Sequence, residues 1–328
     1  MTLSSSPAKA MDRAGREEQV DGHQPIPFPC SPHNTAFLSE AVDAFCKTFT
    51  DVVATDLGYD LLVTNYSRRA GMVGARFVDA VFGIARQGDP DSLLAAIPKM
   101  RSYYRELKIG PLLSPLAYRE LQAGLVSDDL GGRTFDIGAG DNSFGQYLLR
   151  TYPRVTSVIG TDVQVDHACV TERRLDFRLQ PRPDSLPRDL GIADTILMKH
   201  SLHHMLGQVQ DSLINTCLDH LSDSGRLIIF EDTYSLDSKP LIDQDGFHSR
   251  LQGLGGAARI RDFLTSMDAW PIFTRDKQMS FPGTYRDTRA WKDLLMAKGC
   301  VVKSIFYGIP AEGYGAAPLG VYIARPVR

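Results

Sequence analysis

Hydrophobic positions recur every three and four residues through the first third of the chain, which is the spacing of one helix face. The first such segment covers residues 37–53, and a second lies around Phe77. Two more helical patterns cover residues 92–106, where Pro98 is expected to interrupt the helix, and the stretch PLAYRELQAGL from Pro115. The first third is therefore predicted to be mainly α-helical.

After Leu130 the pattern changes to short β-rich runs that alternate with helical ones. The predicted strands are Arg133–Ile137, Val155–Asp162, Leu175–Leu179, Thr195–Met198, Arg226–Glu231, Val301–Tyr307 and Gly320–Ala324. The predicted helices among them are Ser143–Arg150, Val209–Leu221 and Asp287–Lys298. Strands separated by helices predict an α/β fold with a mostly parallel sheet that is covered on both faces.

These patterns divide the chain into three parts. Residues 1–33 are rich in Ser, Pro and charge, with few large apolar side chains, and are predicted to form a flexible tail. Residues 34–128 form the predicted helical cap, interpreted as a substrate or dimerisation domain, and residues 129–328 form the α/β core. A long connection at about 233–285 is predicted to be a lid over the site.

Composition narrows the classes of partner. A formal net charge of −3 over 328 residues provides no overall basic field, so no nucleic acid is expected as partner. The five cysteines are scattered without C-x-x-C or cysteine–histidine spacing, so no metal site is predicted. The absence of a secretory signal or a bilayer-spanning stretch leads us to expect a cytoplasmic protein away from membranes.

The stretch TFDIGAGDNSFGQYLL joins a predicted strand to a predicted helix through a glycine corner. Asp136 precedes Gly138 and Gly140, where the missing Cβ atoms let the backbone approach a ligand. Ser143 breaks the G-x-G-x-x-G pattern of dinucleotide folds, and Asp141 disfavours a phosphate. Asp162 ends the next predicted strand, where a carboxylate can accept hydrogen bonds from both hydroxyls of a ribose.

These residues resemble the first motif and the ribose acid of the class I S-adenosylmethionine-dependent methyltransferases. The stretches DTILMKHSLHHM and LSDSGRLIIFED are similar to the fourth-strand motif and the fifth strand of that family. The resemblance covers roughly Arg133 to Arg325. It implies a Rossmann-like, seven-stranded, mostly parallel sheet with an antiparallel last strand. It also implies S-adenosylmethionine as cofactor, with S-adenosylhomocysteine as product.

The resemblance also suggests the rest of the cofactor site. Asn142 stands where the family has a third glycine, and Asn adopts left-handed backbone more readily than most residues. Asp184, in the loop after the third strand, is the candidate for the adenine contact. Val163 and Lys199, beside the matched motifs, complete the predicted cofactor-binding set.

Candidates for the chemistry lie after the fourth and fifth predicted strands, and they are His200, His203, His204, Glu231 and Asp232. His203 and His204 could act as general base toward an acceptor hydroxyl, because imidazole titrates near neutral pH. The alternative is that these histidines only pack and hydrogen-bond around the donor pocket. The predicted substrate-binding residues are Glu231, Asp232, Trp270, Tyr285 and Arg286.

The resemblance thus implies a methyltransferase that acts on a small organic acceptor, and the lid and cap suggest a place in specialised metabolism. The methyl acceptor could instead be RNA or protein, or the chain could bind S-adenosylmethionine without transferring methyl. A nicotinamide oxidoreductase is disfavoured by the glycine spacing and by the final strand pair. The helical N-terminal region could also mediate a homodimer.

Overall fold

The computed structural model describes residues 39, 42–43, 45–47, 52, 55–70, 89–106, 115–164, 169–275, 284–309 and 317–328. The predicted tail of residues 1–33 and the predicted helix around Phe77 lie outside these residues. Most of the predicted helix over residues 37–53 lies outside them as well.

Before the core, the described part of the chain contains the helices α1 at Asp56–Ala70, α2 at Pro90–Glu106 and α3 at Pro115–Leu125. The hydroxyl of Thr55 accepts the amide of Gly58 at 3.1 Å and caps the start of α1. The α2 helix continues through Pro98, so the predicted interruption was wrong. A proline costs a helix one backbone hydrogen bond, and α2 offsets that loss by burying Leu93, Ile97 and Met100.

The α/β core then follows in chain order. Its elements are β1 (Gly132–Ile137), α4 (Ser143–Thr151), β2 (Val155–Asp162), β3 (Leu175–Leu179), β4 (Ala193–Lys199), α5 (Gly207–Asp219), β5 (Leu221–Asp232), β6 (Ile242–Asp243), α6 (Phe247–Gln252), α7 (Ala257–Arg275), α8 (Thr288–Ala297), β7 (Cys300–Ile309) and β8 (Leu319–Pro326). Asp287 caps α8 by accepting the amide of Ala290 at 2.6 Å.

The strands form one sheet in the order β3-β2-β1-β4-β5-β8-β7-β6. The pairs from β3 to β5 are all parallel, and β8 runs antiparallel to both β5 and β7. The predicted α/β fold, mostly parallel with an antiparallel last strand, is confirmed. In a parallel sheet all strands end at one edge, so the residues that follow β1, β2, β4 and β5 are brought together there.

Within the described residues the sheet has eight strands, where seven were predicted. The additional strand, β6, is two residues long and pairs in parallel with Gly308 and Ile309 at the end of β7. Gly308 has φ +91°, and a Cβ at this position would lie 2.0 Å from the carbonyl oxygen of Ile242. The chain leaving β5 can therefore pass along the edge of β7 because a glycine leaves room for its backbone.

Apolar clusters cover both faces of the sheet. On one face Ile196 and Met198 of β4 pack with Leu213 of α5 and with Trp291 and Leu295 of α8. On the other face Leu148 of α4 and Ala123 of α3 pack with residues of β2, β4 and β5. The helix α3 is therefore part of the core layer beside the glycine corner.

A third cluster joins the N-terminal helices to the insertion after β5. Leu61 of α1 and Ile97 of α2 share it with Phe247 of α6 and Phe263 of α7. Arg250 of α6 also donates a hydrogen bond to the Thr64 hydroxyl on α1 at 3.0 Å. The regions predicted as cap and lid thus share one hydrophobic core.

Of the cysteines that the structure describes, Cys217 and Cys300 are buried free thiols, and burial raises the pKa of both. Among the described helices, none has the length and apolar character needed to cross a bilayer.

Candidate functional site

The loop between β1 and α4 turns through three residues with left-handed backbone. The φ angle is +72° at Gly138, +56° at Gly140 and +60° at Asn142. The amides of Gly138 and Ala139 both donate to the carbonyl of Thr161 on β2, at 2.8 and 2.9 Å. Glycine adopts this backbone without a Cβ clash, and the expectation that Asn142 tolerates it is confirmed.

Asn142 holds the corner against the neighbouring strands. Its side chain is fully buried, and Nδ2 donates to the carbonyls of Val170 at 2.9 Å and Asp176 at 3.0 Å. Its Oδ1 lies over Gly160 of β2, where an added Cβ would come within 2.3 Å of that oxygen. The corner is therefore fixed by one amide side chain and by the glycine that makes room for it.

A buried ion pair lies beneath the corner. Asp136, near the end of β1, is fully buried and pairs with the ammonium of Lys199, the last residue of β4. Burial raises the pKa of Asp136, the charge of Lys199 opposes that shift, and Asp162 and Asp141 add to it. The second oxygen, Oδ2, has no hydrogen-bond partner among the described residues. The carboxylates of Asp136, Asp141 and Asp162 therefore lie close to one another at the corner, and the buried Oδ2 of Asp136 is still able to accept a hydrogen bond.

Asp162 lies against the backbone of the same corner. Its Oδ2 accepts the amide of Gly140 at 3.0 Å, and its Oδ1 accepts the amide of Gln164 at 3.3 Å. Val163 follows it and is half-buried. The structure therefore brings Asp136, Gly140 and Asp162 together at the carboxyl edge of the sheet.

Asp184 lies in the loop after β3, as the sequence predicts. Its carboxylate pairs with Arg182 at 3.2 Å, and its carbonyl accepts the hydroxyl of Thr216 on α5 at 3.4 Å. The described contacts tie Asp184 to its own loop and to α5. Its contact with adenine stays a prediction.

A cavity of about 190 Å³ opens between α3, the glycine corner and the end of β4. The helix α3 contributes Tyr118, Arg119 and Gln122 to its wall. Arg119 donates a hydrogen bond to the hydroxyl of Ser143 and lies 3.9 Å from Asp141. The sequence predicts α3 as a helix but carries no signal for which of its faces meets the corner.

His200 lines this cavity directly after β4. Its backbone is left-handed, with φ +47°. Its Nε2 lies 2.8 Å from the hydroxyl of Tyr118 and 3.0 Å from Nε2 of Gln122, and its Nδ1 lies 2.9 Å from Oδ1 of Asp232. The sequence places His200 among the candidates after the fourth strand but favours His203 and His204 as the base, because nothing in the local pattern indicates the backbone conformation of His200.

The two histidines selected as bases lie one turn further along. His203 is buried, and its Nδ1 lies 2.5 Å from Oε2 of Glu231. The other carboxylate oxygen of Glu231 accepts the amides of Ser201 and Leu202 at 2.9 and 2.7 Å. The ring of His203 contacts those of His204 and Tyr285, at centroid distances of 4.0 and 5.0 Å.

The remaining predicted substrate residues belong to the insertion and the segment after it. Tyr285 is buried, and its hydroxyl donates to the carbonyl of Leu264 at 3.4 Å. Arg286 donates to Oε1 of Gln210 at 2.9 Å, so its guanidinium is bound to α5. Trp270 lies in α7, and its side chain is outside the described part of the structure.

No protein-family model matches the chain, and no curated protein matches its sequence. Solved structures show a distant likeness. The pyocyanin biosynthetic protein PhzM is 16% identical over 83% of this chain and 74% of its own, with a TM-score of 0.48. An O-methyltransferase family protein from Burkholderia thailandensis is 14% identical over 72% of this chain and 62% of its own, with a TM-score of 0.40. LepI in complex with SAM is 13% identical over 71% of this chain and 54% of its own, with a TM-score of 0.42.

This chain thus corresponds to 62% of the Burkholderia protein and 54% of LepI. Structural similarity at such low sequence identity carries no information on the activity of this protein. The strand order and the antiparallel last pair are observed directly in the sheet. The observed sheet thus has the mostly parallel order and the antiparallel last pair that the resemblance to the class I S-adenosylmethionine-dependent methyltransferases implied.

Proposed function

We propose that this protein is an S-adenosylmethionine-dependent methyltransferase that acts on a small organic acceptor. The observation that carries the proposal is the contact between the Asp162 carboxylate and the Gly140 amide in the acid-preceded glycine corner. An acid at this place can accept ribose hydroxyls while the glycine backbone approaches the rest of a nucleoside.

The charges around the corner favour a cationic ligand. Asp136, Asp141 and Asp162 are its carboxylates, and Lys199 and Arg119 are the cations paired there. The net charge of these described residues is negative, which favours the positively charged sulfonium and ammonium groups of S-adenosylmethionine. It opposes the pyrophosphate of a dinucleotide, whose charge would meet these carboxylates at close range.

Unsatisfied polar atoms support the same fit. Oδ2 of Asp136 and Oγ of Ser201 are buried without a hydrogen-bond partner among the described residues. Ser201 adjoins the corner, because a Cβ added to Gly138 would lie 3.2 Å from its Cβ. Buried polar atoms are rarely left unpaired, so we propose that a bound nucleoside supplies these missing partners.

Residues of the chain would hold the ligand and orient the acceptor. Asp162 and Val163 are assigned to the nucleoside, Gly138 and Gly140 to the backbone approach, and Asp184 to the adenine. S-adenosylmethionine supplies an electrophilic methyl group on a positively charged sulfur. The protein then has to align an acceptor atom with that methyl and, for a hydroxyl, take away its proton. His203 and His204 are the base candidates selected from sequence.

The test is calorimetric binding of S-adenosylmethionine to Asp162→Ala and Asp162→Asn. Losing a hydrogen bond to a charged group costs about 1.5–3 kcal/mol, so Asp162→Ala should weaken binding roughly 10- to 100-fold. Asp162→Asn keeps an acceptor for Gly140 and should fall between that variant and the parent. Asp189→Ala, an acid that is 71% exposed elsewhere, is the matched control. Unchanged affinity in Asp162→Ala would refute the ribose assignment.

A further inference from the structure

His200 is turned into the cavity by an unusual backbone. Successive residues of a strand point to opposite faces, yet Lys199 and His200 both line the same cavity. The left-handed backbone of His200, at φ +47°, accounts for this change of direction. A left-handed residue other than glycine is strained, and such residues cluster at functional sites.

The hydrogen bonds of His200 define which ring nitrogen carries the proton. A carboxylate oxygen only accepts, so the contact of Nδ1 with Oδ1 of Asp232 at 2.9 Å places a proton on Nδ1. In the neutral ring Nε2 then carries the lone pair, and it lies 3.0 Å from the side-chain amide of Gln122. A histidine with an accepting nitrogen facing the cavity and a carboxylate at its other nitrogen has the arrangement of an oriented general base.

The solvent exposure of its side chain distinguishes His200 from His203, one of the two histidines favoured by the sequence. The side chain of His200 is 26% exposed, whereas that of His203 is 3% exposed. Nδ1 of His203 contacts Glu231, and its ring stacks on Tyr285. This environment matches the packing role that the sequence left open for His203.

We infer that Nε2 of His200 accepts the proton of an acceptor hydroxyl, with Asp232 as the positioning residue. This inference rests on the proposed methyltransferase function and specifies its substrate class. The O–H bond of the acceptor breaks, its proton moves to Nε2, and its electron pair stays on oxygen. That oxygen forms the new O–CH₃ bond as the S–CH₃ bond of the sulfonium donor breaks. The positive charge on the imidazole is stabilised by the Asp232 carboxylate.

This step requires an acceptor whose nucleophilic atom is a hydroxyl with a removable proton, such as a phenol. Tyr118 and Gln122 hold Nε2 before the acceptor arrives, and the acceptor hydroxyl takes the place of one of them. The charged groups on the other walls of the cavity are Arg119 of α3, Asp141 of the corner and Lys199 of β4.

The first test reads the protonation of His200 in the free protein. Nitrogen NMR of ¹⁵N-labelled imidazoles should show the neutral ring of His200 with its proton on Nδ1, with His200→Gln used to assign the signal. Asp232→Asn should reduce the preference for that form. A neutral ring with its proton on Nε2 would overturn the inference, whichever acceptors are turned over.

The second test measures methyl transfer from S-adenosylmethionine to a panel of simple phenols. General base catalysis contributes about 10²- to 10⁴-fold, so His200→Gln should lower kcat at least about 100-fold while donor affinity stays within about threefold. Asp232→Asn should also lower kcat and leave donor affinity within about threefold, because the carboxylate of Asp232 orients the imidazole ring.

His220→Gln is the matched control, because His220 contacts the carbonyl of Thr216 at the end of α5, outside the cavity. It should match the parent in both kcat and donor affinity. A kcat of His200→Gln within threefold of the parent, or an unchanged kcat in Asp232→Asn, would overturn the inference. A parent protein that binds the donor but methylates no phenol would contradict the hydroxyl class. Failure to bind the donor would instead refute the proposed function.

Discussion

The glycine corner depends on Asn142, and two substitutions there separate its two contributions. Asn142→Ala removes the hydrogen bonds to Val170 and Asp176, worth about 0.5–1.5 kcal/mol each. It also places alanine in left-handed backbone, which costs about 1–2 kcal/mol. Asn142→Ala should therefore destabilise the fold by about 2–5 kcal/mol. Asn142→Gly loses only the hydrogen bonds and should cost about 1–3 kcal/mol.

The assay is equilibrium urea unfolding of the parent and both variants at pH 7.5, compared by midpoint and slope. Asn215→Ala, on the exposed face of α5, is the control and should stay within about 0.5 kcal/mol of the parent. If Asn142→Gly is as destabilised as Asn142→Ala, the left-handed backbone contributes nothing. If the free energy of unfolding of Asn142→Ala lies within about 1 kcal/mol of the parent, the claim that Asn142 fixes the glycine corner is refuted.

Two further changes test the electrostatics. Lys199→Met leaves the buried Asp136 carboxylate unpaired and should cost about 3–5 kcal/mol at neutral pH. Because burial raises the pKa of Asp136, protonation of its carboxyl group relieves that cost. The free energy of unfolding of the variant in urea should therefore approach that of the parent as the pH is lowered from 8 to 5. The exposed Lys292→Met is the control, and a cost independent of pH would contradict the reasoning. Burial lowers the pKa of His248. Below about pH 6.5 this histidine therefore binds a proton more readily in the unfolded chain than in the folded one, which destabilises the fold. Stability should therefore fall between pH 7 and 5 in the parent and fall less in His248→Gln; equal losses in thermal melts would refute this role.

Much of the core could be predicted because its strands are apolar runs bounded by polar turns. The observed bounds of β2 and β3 are those predicted, whereas β5 begins at Leu221, five residues before the predicted Arg226. The early part of β5 is polar, and only pairing with a neighbour identifies it as strand. The strand β6 has two residues and no periodicity, so its pairing with β7 is a tertiary effect.

The candidate site was predictable where function requires special backbone. The spacing of the acidic residues and the glycines indicated the corner and Asp162, because glycines are common where the backbone turns through a left-handed conformation. The position of His200 after the fourth strand made it a candidate, but the pattern could not single it out as the base, since its positive φ is carried by a residue that rarely adopts it. The contribution of α3 was hidden as well, because a helical pattern does not reveal which neighbour the polar side chains of Tyr118 and Gln122 meet.

The most direct test of the central claim is calorimetric binding of S-adenosylmethionine, S-adenosylhomocysteine and NAD to the purified protein. The carboxylates around the glycine corner predict that both sulfur nucleosides bind and that NAD does not. Binding of NAD alone would show that the corner accepts a pyrophosphate and would contradict the assignment of this protein as a methyltransferase.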